Sequence, residues 1–128
     1  MNPKVVSSVM AALLVLLGAS ASNVQAQAPS HAAVVIENPT QQPLNYKIRW
    51  GAGGFWQHIR VEPGQEIRHS YPLDVAGLAP APEIEFDGVG FGRLSRKLNF
   101  NAVNDPADGL RYKFLYSANG LCLNLYRR

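Results

Sequence analysis

The sequence predicts an all-β protein: a small antiparallel β-sandwich of seven to eight short strands, with a closed β-barrel as the alternative. Two observations lead there. From residue 33 onward apolar and polar residues alternate with a period of two in run after run, and no helical period appears. Between the runs stand clusters of Gly, Pro, Asn and Asp at fairly even spacing, which is how strands joined by turns read.

Ala33 to Glu37 is a short apolar, β-branched run, and Asn38-Pro39-Thr40-Gln41-Gln42-Pro43 breaks it with turn formers. Leu44, Tyr46, Ile48 and Trp50 then alternate with Asn45, Lys47 and Arg49, the pattern of a half-buried strand. Gly51-Ala52-Gly53-Gly54 ends it with residues that tolerate positive φ. The next strand is expected over Phe55 to Val61, with Phe55, Ile59 and Val61 on one face and Trp56, His58 and Arg60 on the other. Glu62-Pro63-Gly64-Gln65 suits a type II turn, and Glu66 to Tyr71 follows as a fourth strand.

Residues 72 to 82 are rich in Pro, Gly and Ala and are expected to form a long connection. Glu83, Glu85 and Asp87 alternate with Ile84 and Phe86 in a fifth strand. Glycines 88, 90 and 92 make a flexible loop, and Arg93 to Phe100 reads as a mixed strand carrying Leu94, Leu98 and Phe100. Asn101 to Gly109 is expected to be a loop. Leu110, Tyr112, Phe114 and Tyr116 alternate with Arg111, Lys113 and Leu115. Asn119-Gly120 signals a hairpin, and Leu121, Leu123 and Leu125 form the last strand.

The first residues suit export rather than packing. Lys4 precedes an apolar run from Val9 to Leu17, and a small, polar stretch follows. This is the three-part layout of a secretory signal peptide, with Val24-Gln25-Ala26 placing cleavage after Ala26. The apolar run is shorter than the roughly 20 residues a bilayer crossing needs, so no integral membrane segment is expected after processing. The organisation read from sequence is a signal peptide over 1–26, a flexible lead-in over 27–32 and one domain over 33–128. Localisation is expected to be secreted or periplasmic, in a bacterial setting.

Composition narrows the function classes. The chain has 12 basic and 9 acidic residues. Loss of Lys4 leaves 11 against 9, an excess of +2, too weak to argue for nucleic acid as a partner. Cys122 is the only cysteine, so an internal disulfide is excluded and stability must come from the core. A monomer without a cofactor is expected.

One resemblance arises from Ile36-Glu37-Asn38-Pro39-Thr40, then Leu44-Asn45-Tyr46-Lys47-Ile48, then Val61-Glu62-Pro63-Gly64-Gln65. Over residues 33–71 this resembles the opening of immunoglobulin-like β-sandwich domains of the chaperone-pilin and major sperm protein type. It implies a fold class and little about function.

Catalytic and metal-binding signals stay at background. His31, His58 and His69 have no Cys or acidic neighbour at a recognised ligand spacing and read as surface or rim residues. Ser70, His69 and Asp74 do not make a triad, because adjacent strand residues point to opposite faces. The glycines after Asp87 lack a following helix to form a phosphate cradle. Asn99, Asn101, Asn104, Asp105 and Asp108 match no calcium loop and read as turn formers. An enzyme is therefore not expected.

One constellation remains. If the apolar rows face the core, Lys47, Arg49, Trp56, His58 and Arg60 share a solvent face. An indole is a flat apolar platform for a sugar ring, and arginine donors match carboxylate or phosphate oxygens in pairs. The expected function is a non-catalytic exported binding module for an anionic ligand such as an acidic polysaccharide, with an anionic glycan or a protein as partner. The alternative is a structural or assembly accessory acting through a sheet edge. The plainer reading is that a long loop covers Trp56, or that the register differs and Trp56 is core.

Overall fold

The structure, a computed structural model, describes residues 28–104 and 108–128. The expected signal peptide lies outside the described residues. Nine strands form two sheets: β1 (His31–Glu37), β2 (Leu44–Trp50), β3 (Gln57–Val61), β4 (Glu66–Pro72), β5 (Pro82–Asp87), β6 (Arg93–Lys97), β7 (Asn101–Val103), β8 (Leu110–Tyr116) and β9 (Leu123–Arg127). One sheet runs β4-β1-β8-β9 with β7 also paired to β1; the other runs β3-β2-β5-β6. Neither closes on itself, so the molecule is a sandwich and the barrel alternative is excluded. Every pair is antiparallel except β1 with β8.

The alternating strands bury the faces their sequences mark. Leu44, Tyr46 and Ile48 of β2, Ile84 and Phe86 of β5, and Tyr112 and Phe114 of β8 all enter one core. Phe86 and Phe114 meet there edge to face, with ring centroids 5.1 Å apart. The β1 run is apolar without alternation because both of its faces are covered. Val34 and Ile36 point into the core. On the other face Gly109 approaches Ala33 and Val35 so closely that a Cβ there would lie 3.0 Å from Val35 Cγ2. Arg68 of β4 secures that covering segment by donating from Nε to the Asp108 carbonyl at 3.0 Å.

Asn38 ties the end of β1 to the end of β3. It is 1% exposed, and its Nδ2 donates to the carbonyls of Gln42 (2.7 Å) and Val61 (3.0 Å). Its Oδ1 accepts from the backbone N and the hydroxyl of Thr40. Gly64, at the third position of the Glu62–Gln65 turn, has φ +78, as a type II turn requires, and its N donates to the Asn38 carbonyl at 2.7 Å.

Several expectations need correction. The described residues form nine strands, one more than the upper count expected. The run expected over Arg93 to Phe100 ends at Lys97, where the chain leaves one sheet for the other. Leu98 N donates to the Pro82 carbonyl and Asn99 N to the Tyr112 hydroxyl. The short β7 then forms inside the stretch expected to be loop.

Phe55, expected to face the core, is 94% exposed, because pairing in β3 starts only at Gln57 and strand alternation does not reach it. Leu121 is exposed in a turn rather than in the last strand. Asn119 Oδ1 accepts its backbone N, and Ser117 N donates to the Cys122 carbonyl, which lengthens the hairpin beyond Asn-Gly. The glycine loop after Asp87 is pinned rather than free: Gly90 N donates to the Leu121 carbonyl, and Leu123 N to the Gly88 carbonyl.

Smaller boundary shifts also occur. β1 starts at His31, two residues earlier than expected, and Pro82 is a buried first residue of β5. Among the described residues no helix is long and apolar enough to cross a membrane.

Candidate functional site

The register of β2 with β3 sets Asn45 opposite Arg60 and Lys47 opposite His58. Tyr46 and Ile48 point inward between them, so Asn45, Lys47 and Arg49 line up on the outer face beside Trp56, His58 and Arg60. The five residues selected from sequence therefore lie on one side of one sheet. Trp56 is half-buried there and is not part of the core. Its ring lies under two cations, with Lys47 Nζ 4.9 Å and Arg49 Cζ 4.4 Å from the centroid. At such distances the ring quadrupole attracts the cation.

The strand on the other side of β2 was not placed by sequence reading. β5 sets Glu85 opposite Lys47 and Glu83 opposite Arg49. Lys47 reaches Glu85 at 3.1 Å, and both Nε and Nη2 of Arg49 reach Glu83 Oε1 at 2.8 Å. Beyond β5, β6 sets Arg93 opposite Asp87 and Lys97 opposite Glu83. Arg93 Nε also approaches Glu85 at 3.4 Å. A carboxylate row thus stands between two cation rows. The hydrogen bond from Lys47 holds the Glu85 carboxyl below its ordinary range; burial opposes this, and the Lys47 and Arg93 charges add to the lowering.

The paired cations keep part of their donor capacity. Lys47, His58, Arg60 and Arg93, with Asn45, line a shallow pocket of about 330 Å3 on this face. Arg60 also reaches Glu62 at 2.6 Å, a solvent-exposed pair of small energetic weight. Five basic side chains (Lys47, Arg49, Arg60, Arg93, Lys97) stand against four carboxylates (Glu62, Glu83, Glu85, Asp87) on this face, which leaves a small local cationic excess. Trp56 and Arg49 lie to one side of the pocket, so the five predicted residues divide into a stacked group and a pocket group. Arg93 was missed. It follows a glycine loop with no local signal, and only the pairing of β5 with β6 brings it in.

The other candidates also have places. His31 begins β1 and bonds the Ser30 hydroxyl at 2.9 Å. His69 corrects the expectation of a surface or rim histidine. It is 7% exposed, faces the core from β4, and has Nε2 2.7 Å from the Tyr46 hydroxyl. Its neighbour Ser70 is exposed, as alternation requires. Asp74 Oδ1 accepts from the backbone of Ala76 and Leu78, and Asp87 Oδ1 from Val89, so both act as turn formers. Asp105 lies outside the described residues. Among the described residues no group of three His, Cys, Asp or Glu is placed to hold a metal ion.

The fold and this face define an all-β sandwich with a mixed-charge, cation-rich outer sheet. No protein-family model, curated protein or solved structure matches the chain.

Proposed function

We propose that the protein is a non-catalytic binding module, exported by its N-terminal segment, whose outer β3-β2-β5-β6 face takes an anionic ligand such as an acidic polysaccharide. One observation carries the reading: Lys47, His58, Arg60 and Arg93 converge from three strands on one pocket beside a half-buried tryptophan. Guanidinium forks suit carboxylate oxygens, and an indole beside them offers apolar surface to a sugar ring. The Glu83 and Glu85 pairs preorganise Lys47 and Arg49, which lowers the ordering cost of binding. The same pairs moderate the charge, so the affinity expected per site is modest and gains from repeated sugar units.

The test is titration of the protein with an oligogalacturonate, using a neutral dextran oligomer as control. The double substitution Arg60→Ala with Arg93→Ala should weaken oligogalacturonate binding at least tenfold. Unchanged affinity would overturn the reading.

An immunoglobulin-like relationship belongs to the same proposal. Its support is the order in which the chain crosses from β1 to the β2–β3 hairpin and back to β4, which pairs with β1. A second reading, assembly through a sheet edge, has one observation in its favour. β3 and β4 are both terminal strands, and they border the same open side of the sandwich.

A further inference from the structure

The two open sides of the sandwich differ. On the β6–β9 side Arg96 Nη2 donates to Asn124 Oδ1 at 2.6 Å and bridges the sheets. On the β3–β4 side a cleft of about 1000 Å3 runs inward between the strands. Inner-face residues of both sheets line it: Ile48 and Trp50 from β2, Ile59 from β3, and Ile67, His69 and Tyr71 from β4. Trp50 and Tyr71 stack with centroids 5.5 Å apart and form an aromatic wall. Phe55, on the segment after Gly51–Gly54, also borders the cleft, with its side chain almost wholly in solvent.

Among the residues lining the cleft, His69 is the buried polar one, and its ring lacks a full set of partners. Of the His69 ring nitrogens, Nε2 meets the Tyr46 hydroxyl, and Nδ1 has no hydrogen-bond partner among the described residues. The tautomer follows from the protons available. If the Tyr46 hydroxyl donates to Nε2, a single N–H at Nδ1 is left unsatisfied. If Nε2–H donated to Tyr46 instead, the phenolic proton and Nδ1 would both lack partners, which costs more. The arrangement therefore presents one buried donor beside an aromatic wall in a largely apolar cleft whose lining also includes Gln57, Arg68 and Ser70, the mix typical of small-molecule sites.

We propose that the cleft between β3 and β4 is a second binding site, for a flat apolar molecule bearing one acceptor oxygen, such as an aromatic ketone, with His69 Nδ1–H donating to that oxygen. Trp50 and Tyr71 supply the stacking surface. Phe55 closes over the bound molecule and loses its contact with water. The site is separate from the outer face of the β3-β2-β5-β6 sheet and uses none of the cations there.

The test compares two fluorescent probes of nearly equal shape, 1-acetylpyrene and 1-ethylpyrene, titrated into the protein. The acetyl probe should bind more tightly by about three- to tenfold, the worth of one net hydrogen bond. Phe55→Ala, at a side chain the fold does not bury, should weaken both probes several-fold. His69→Gln removes the ring donor and should bring the two affinities together. Tyr71→Ala, at a partly exposed position, should weaken both equally and keeps the test open if the His69 variant does not fold. Arg60→Ala should leave both unchanged. Equal affinity of the two probes or no binding of either would overturn the proposal.

Discussion

The Tyr46 hydroxyl stands 2.7 Å from His69 Nε2 and joins β2 of one sheet to β4 of the other across the core. Burial lowers the His69 pKa to about 4 and raises that of Tyr46, so the pair is neutral at neutral pH. The folded pKa of His69 lies below the unfolded value of 6.5, so the unfolded chain binds the proton first. Stability is undiminished by this group above pH 6.5 and falls as pH drops from 6.5 towards 4, by on the order of 3 kcal/mol. Denaturant unfolding between pH 7 and 4 checks this. The expected result is a decline in the wild type that is largely absent in His69→Gln. Tyr46 acts in the opposite range, with stability lost as pH rises above the ordinary tyrosine value.

Asn38 carries a comparable structural weight. Asn38→Ala removes four side-chain hydrogen bonds and leaves the buried Val61 carbonyl without one of its partners. A loss of about 2–3 kcal/mol is expected, which for a domain of this size lowers Tm by roughly 10–20 °C. Thermal unfolding followed by circular dichroism measures it. Asn38→Asp should also destabilise, because it replaces the Nδ2 donor with an acceptor facing two carbonyls.

Much of the fold was legible because strand alternation is a strong local signal. Leu44 to Trp50, Pro82 to Asp87 and Leu110 to Tyr116 bury the residues their period marks. The same period placed Trp56, His58 and Arg60 beside Lys47 and Arg49. What stayed hidden depends on which strands become neighbours. Nothing near Lys47 reveals that Glu85 will lie opposite it, nor does any local signal bring Arg93 to the pocket. His69 was misread because its polar ring was weighed above its period: it shares a face with Ile67 and Tyr71, while Arg68 and Ser70 point the other way. Its burial is set by Tyr46, 23 residues away in the chain. Asn38 likewise reads as a turn former, and its bond to Val61 spans another 23 residues.

Redox chemistry should leave the fold untouched. Cys122 is half-buried as a free thiol, and its Sγ lies 2.9 Å from where a Cβ on Gly90 would stand, tucked against the pinned loop. Thermal unfolding with and without reductant is expected to coincide. A large loss on reduction would show that Cys122 bridges two chains. Gly90→Ala should destabilise the protein, since the added methyl meets both Sγ and the Leu121 carbonyl oxygen at under 3 Å.

The central functional claim is that the outer face around Trp56 binds an anionic glycan. Trp56→Ala tests it most directly, because the ring lies on the sheet surface beneath Lys47 and Arg49 and is not part of the central core. The measurement is calorimetric titration with oligogalacturonate at low and at physiological salt, paired with the Tm of each protein. The account predicts wild-type binding that weakens as salt screens the exposed cations over about 8 Å. It predicts at least a tenfold loss in Trp56→Ala with Tm lowered by only a few degrees. Oligogalacturonate binding that is absent in the wild type, indifferent to salt or unchanged in Trp56→Ala would contradict it, as would a Trp56→Ala variant that fails to fold.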